Sequence, residues 1–226
     1  MTTANENPNG AGTSGEARIA GIVLVATTLL SILMMLHHPT AATHEPASLA
    51  ADIASKATLS RVVHGVLIAI VGFELYASAV FAGLITPGRS AARAGFVAYA
   101  IGAGAMMGAA LISGFVVSSL AGYYAGTADP APFVDFARLS MAGNQALANL
   151  GVIAMSVAIV LWAIALLHDH ARGRWLAIVG IVTGLAPAIA LLAGAIHLDV
   201  HGMLLVVVAQ AIWNLAAGAE LIRGRI

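Results

Sequence analysis

Eight histidines run through a chain of 226 residues that contains no cysteine, and six of them fall in three places: His37 and His38 with His44, then His64, then His197 and His201. Only His168 and His170 stand elsewhere, in an HDHARGR segment. Neutral imidazole is a ligand for zinc, copper and haem iron. With thiolates absent, any metal must be held by His, carboxylate or Met. The expected ligand set is His38, His64, His197 and His201. His37, His44, Ser60 and Asp199 stand around it as further polar groups that orient an imidazole or add a donor. Such a set implies a zinc or copper ion, or haem b, and Met34–Met35 beside His37 leans toward copper. Spacing assigns no general base.

Glu74 is the second residue with chemical potential. It lies inside an apolar run, VHGVLIAIVGFELYASAVFAGL, and an ionisable group at the middle of a span costs about 2.5 kcal/mol or more unless neutral or paired. Gln210, Asn214 and Asn149 could bond its carboxyl across a helix bundle. Ten residues past His64, Glu74 is about 15 Å deeper along a helix, so the two cannot share one small site; they could mark successive points on a path, or Glu74 could be static glue between helices.

The elements that must position these residues follow from composition. The chain is 60% hydrophobic and 9% charged, against roughly 25% charged in soluble domains. Apolar runs of roughly 20 residues, each enough to cross a hydrocarbon core, recur near Ile19–Leu36, Val62–Ile85, Gly95–Leu120, Ala146–Leu167, Trp175–Ile196 and Gly202–Ile222. Lipid offers no partners to free backbone groups, so the spans are helices. The fold class is an all-α integral membrane protein with six transmembrane helices. The last two runs are nearly continuous and must reverse once; Asp199 marks HLDVH as the turn. Net charge is zero with no basic run, which removes nucleic acid as a partner.

Arg18, Arg89, Arg93, Arg172, Arg174, Arg223 and Arg225 flank one set of span ends, against Lys56, Arg61 and Arg138 at the other. The excess places both termini in the cytoplasm and the six histidines on the outer face. This is a multi-pass cell-membrane protein, of the inner membrane if the chain is bacterial. Residues 1–17, polar and without Lys or Arg, read as a disordered tail ahead of a transmembrane domain over 18–226. Two outer loops are long, and ASLAADIASKA and PFVDFARLSM within them could each form a short interfacial helix. Small-residue pairs, Gly104-x3-Gly108 and Gly180-x3-Gly184, suit close helix contact, and Pro187 suits a kink.

Val63–Tyr76 and Val200–Trp213 align without a gap, and Asn149–Trp162 fits the same register, with Gly65, Gly151 and Gly202 superposed. Three tandem helical hairpins would put His64 and His201 at equivalent depths.

The spacings Ser60-x3-His64 and His197-x3-His201 are similar to motifs of the alkaline ceramidase and adiponectin-receptor superfamily, which holds zinc with a Ser-x3-His and a His-x3-His. The resemblance covers ten residues and implies His64, His197 and His201 as ligands, with Ser60 beside a zinc-bound water. The chain departs from that family in having six spans rather than seven and in the reversal at Asp199, which splits the late pair.

Three functions are therefore expected. One is a metal or haem site at the outer face for hydrolysis or redox of a lipid-like or quinone-like molecule. The second is a small proton-coupled transporter using Glu74, with Gln210 and Asn214 on its path and the histidines as an outer gate. The third is an accessory subunit bound to a larger membrane-protein complex.

Overall fold

The computed structural model describes residues 9–39, 45–85, 88–127, 129, 131–168 and 173–226. Six helices in it are long and apolar enough to cross a membrane. They are α1 (Asn9–Leu36), α3 (Ala57–Leu84), α4 (Arg89–Leu111) with its continuation, α6 (Ala131–Leu167), α7 (Arg174–Leu192) and α8 (Val200–Ile222). A short helix, α2 (Pro46–Ser55), precedes α3. A π-helical turn, Ile112–Val117, carries α4 into α5 (Ser118–Tyr124). No strand occurs among the described residues, as the demand for internally satisfied backbone requires.

Each spanning helix packs on its neighbours in sequence, α1 on α3, α3 on α4, α4 on α6, α6 on α7, α7 on α8, and α8 closes on α1. The result is a ring of three consecutive hairpins. Closure depends on two glycines. A Cβ on Gly21 would lie 2.7 Å from the Gly218 carbonyl oxygen, and one on Gly218 would lie 3.0 Å from the Gly21 oxygen, so only hydrogen side chains let α1 and α8 approach this closely. Glycine also sets α4 against α6. Gly95 lies under Trp162 and Gly102 under Met155, while Gly104 of the expected small-residue pair meets nothing within 4 Å. The pair in α7 does pack, Gly180 beneath Trp213 and Gly184 against the Ser156 carbonyl.

The middle and the arginine-rich half of the ring are filled by aromatics. Phe81 meets Trp162 at 5.5 Å and Trp213 at 5.9 Å between ring centroids, and Tyr99 meets Trp162 at 5.5 Å. Trp162 donates its indole N–H to the Ala92 carbonyl at 3.1 Å, so the ring nitrogen is satisfied as a buried indole requires.

The reversal between α7 and α8 falls where the sequence places it. Asp199 is the N-cap of α8, its Oδ1 accepting from the Gly202 N–H at 2.8 Å, which satisfies one of the orphan donors of a helix start. Gln145 of α6 donates to the Leu198 carbonyl at 2.9 Å and pins the turn from the side.

The two long loops differ from expectation in one respect. ASLAADIASKA supplies α2, but PFVDFARLSM is no separate helix: it is the first part of α6, which runs unbroken for 37 residues. The charges of Asp135 and Arg138 interrupt the apolar run, yet Phe133 and Ala137 are buried in a small core with Ala50 of α2, Val117 and Ala121. Packing against α2 and α5 therefore continues the helix beyond the apolar run.

Candidate functional site

Of the six histidines expected together, two meet. His38, two residues past the end of α1, and His64, in the second turn of α3, place their Nε2 atoms 3.2 Å apart. Their rings pack edge to face with centroids 4.9 Å apart. The His64 Nδ1 lies 2.8 Å from the Ser60 carbonyl oxygen and 3.4 Å from the Ser60 hydroxyl. A carbonyl only accepts, so Nδ1 carries the hydrogen, and the neutral His64 ring has a bare Nε2 aimed at His38.

The π-helical turn makes this possible. Gly114 lies in that turn, and a Cβ there would collide with the His64 Cβ and lie 2.7 Å from its Cγ. Any larger residue would expel the imidazole. The turn is held from α6 by Asn144, whose Nδ2 donates to the Ala109 carbonyl and to the Ser113 hydroxyl, each at 2.8 Å. π-Turns leave irregular backbone groups and recur at functional sites; here the Asn144 amide satisfies one of them, the Ala109 carbonyl. His64 is 5% exposed, while His38 is half-buried with its Nδ1 shielded and without a hydrogen-bond partner. The Pro39 carbonyl adjoins His38 but completes no bond. Burial, and next the adjoining His64 ring, push the His38 imidazole down to about 4, so it is neutral at ordinary pH.

The other candidate ligands stand apart. His197 and His201 are exposed on either side of the Asp199 cap. The cap breaks the helical His-x3-His face on which the resemblance to the zinc superfamily depends. His37 is exposed, with its Nδ1 against the Leu33 carbonyl at 2.9 Å, and His44 lies outside the described residues. Among the described residues, no group of three or more His, Cys, Asp or Glu gathers, so the four-histidine set does not form. Haem fits poorly here as well, because His38 and His64 touch directly and leave no slot for a macrocycle. The repeat-related positions are not alike: His64 is packed under Gly114, whereas His201 faces outward.

Deeper in the ring, Glu74 is buried and accepts a hydrogen bond at Oε2 from the Tyr99 hydroxyl at 3.1 Å. Thr27 of α1 adjoins the carboxyl and Ser78 adjoins the phenol. None of the salt bridges among the described residues reaches Glu74. The partner is thus Tyr99; Gln210, Asn214 and Asn149 make no hydrogen bond to Glu74 among those described. The Gln210 Nε2 is instead buried without a partner, as is the Thr28 hydroxyl. The antiparallel Gly21–Gly218 contact sets these two orphans at about one level of α8 and α1.

Glu220, near the arginine-rich end of α8, is also buried, but it pairs with Arg223 at 3.3 Å and Arg225 at 3.6 Å. Sequence reasoning did not reach Tyr99, Asn144 or Gly114. Tyr99 sits in a run whose visible feature is apolarity, Asn144 falls just ahead of the fourth apolar run among ordinary polar residues, and the π-turn has no periodic signature. No protein-family model matches the chain, and neither the curated proteins nor the solved structures compared with it provide a match.

Proposed function

We propose that this multi-pass membrane protein is a small proton-coupled carrier whose protonatable group is Glu74. One observation carries the reading: a carboxyl at mid-depth, inside a closed ring of six helices, bonded to a buried phenol and paired with no cation among the described residues. A carboxylate left ionised at this depth is costly, and groups kept at that cost mark proton or substrate paths. The surroundings support this. Thr27 and Ser78 adjoin the pair, and the orphaned Thr28 hydroxyl and Gln210 amide offer further polar positions on α1 and α8.

Below Glu74, Phe81, Trp162 and Trp213 block the ring toward the arginine-rich end, which the charge asymmetry assigns to the cytoplasm. Above it lies the histidine pair. The carboxyl thus lies between an aromatic layer on one side and the histidine pair on the other, at the mid-span depth where carriers hold their substrate and coupling ions. A hydrolytic or redox centre built on four histidines has less support, because only two of them meet.

The test is reconstitution of the full chain in liposomes holding a pH-sensitive dye, with an imposed proton gradient and a panel of small cations and organic solutes. Wild-type vesicles should dissipate the gradient with at least one member, and Glu74→Gln should slow that flux more than tenfold. Tyr99→Phe should slow it less. Equal rates for wild type and Glu74→Gln across the whole panel would overturn the reading and favour an accessory subunit.

A further inference from the structure

We propose that the Nε2 atoms of His38 and His64 are two ligands of a tetrahedral transition-metal site, of the zinc class, at the outer mouth of the ring. The inference goes beyond the Glu74 reading and does not depend on it.

Three observations carry it. The first is spacing. Two ligands at 2.0–2.1 Å from a tetrahedral centre stand about 3.3 Å apart, the edge of the tetrahedron, and the two Nε2 atoms are 3.2 Å apart. The second is the proton count. His64 spends its ring hydrogen on the Ser60 carbonyl, so its Nε2 presents a lone pair. If His38 donates to that lone pair, the His38 Nδ1 becomes a bare acceptor, and that atom is buried without a partner. If His38 carries its hydrogen on Nδ1, two lone pairs meet at 3.2 Å. A metal ion between them removes the conflict: both Nε2 atoms donate to it, and the His38 hydrogen resides on Nδ1, beside the Pro39 carbonyl. No proton is gained or lost by the pair; one is relocated within a ring.

The third is orientation. Donation of the remote ring nitrogen to a backbone carbonyl is the usual support of a ligating imidazole, and His64 has it at 2.8 Å. The ring is further fixed by Gly114, above which no other residue would fit, so the lone pair is aimed before any ion arrives. Imidazole nitrogen suits zinc, cobalt, nickel and copper over magnesium or calcium. Two protein ligands leave two positions for water or for a donor on an incoming molecule, one more than the single open position of the usual catalytic zinc site.

The full chain, purified in detergent and stripped with chelator, should take up one Zn2+ per molecule in a calorimetric titration. His38→Gln and His64→Gln should each weaken binding at least tenfold, while His201→Gln and Glu74→Gln should leave it unchanged. Because His64 is buried, two further measurements do not depend on replacing it. His38→Gln alters only a half-exposed ring beyond the end of α1. Co2+ added to the unaltered chain should give the intense visible bands of four-coordinate cobalt. Zn2+ uptake no greater than that of a chain lacking both imidazoles, a six-coordinate cobalt spectrum, or equal loss on replacing His201 would each overturn the site. Proton flux plays no part in these readouts, so their failure leaves the Glu74 reading where it was.

Discussion

Two histidine pairs lie at the same end of the ring, and the protein treats them in opposite ways. His38 and His64 are drawn together between α1 and α3, one ring fitted under a glycine and bonded through its remote nitrogen. His197 and His201 share a hairpin end, four positions apart, yet both remain exposed and separated by a helix cap. Residue type and nearness in sequence would have favoured the second pair. What distinguishes the first is the partner surface: a π-turn lacking a Cβ where the imidazole needs room, held in place by Asn144 from a third helix.

The strongest way to break that contrast is Gly114→Ala. The added carbon would lie 2.7 Å from the His64 Cγ, and overpacking a fitted site costs about 1–3 kcal/mol. Thermal unfolding in detergent should show the loss. Gly65→Ala, where the nearest atom is 3.7 Å away, serves as the control and should be neutral or stabilise by up to about 1 kcal/mol, since alanine is the better helix former. Equal effects at the two glycines would mean that the turn is not fitted to His64.

At the other pair, Asp199→Ala removes the cap of α8 and should cost about 1 kcal/mol, loosening the turn without disturbing His38 and His64. A loss much greater than that, or a change in the His38–His64 contact by NMR, would show that the two histidine regions are coupled.

The smallest expected effect sharpens the comparison through pH. His38 is held down to about 4 from an ordinary 6.5, so the unfolded chain binds its proton first. Stability from this group is complete above about pH 6.5 and is lost as pH falls toward 4. His38→Gln should flatten that part of the stability profile. A stability profile that His38→Gln leaves unchanged would overturn the assignment.

Much of the fold was legible in the sequence because membrane helices are written in length and apolarity. The six spans follow from runs long enough to cross lipid, and the reversal at HLDVH follows from one aspartate in an otherwise apolar stretch, which proves to be a cap. Glu74 stood out on the same grounds, as the wrong residue type for its depth. Its partner did not, because a tyrosine in an apolar helix looks like packing until the third dimension brings it within 3.1 Å. The α6 extension was hidden for the converse reason. Asp135 and Arg138 resemble loop residues in one dimension, while Phe133 and Ala137 belong to a contact with α2 and α5 that hydropathy cannot register. The choice of His38 with His64 was set by an absent side chain at Gly114, fifty residues from the ring it admits.

The unbroken course of α6 has a mechanical meaning. At 37 residues the helix is about 55 Å long, against a hydrocarbon thickness of about 30 Å. It is a rod anchored among aromatics at one end and tied to α2 and α5 at the other, with Asn144 and Gln145 as its attachments to the π-turn and to the α7–α8 hairpin. A tilt of about 5° at the anchored end moves the far end by about 5 Å. Such a rod would pull on both histidine regions in a single stroke, acting as a lever arm between the interior of the bilayer and the water outside it.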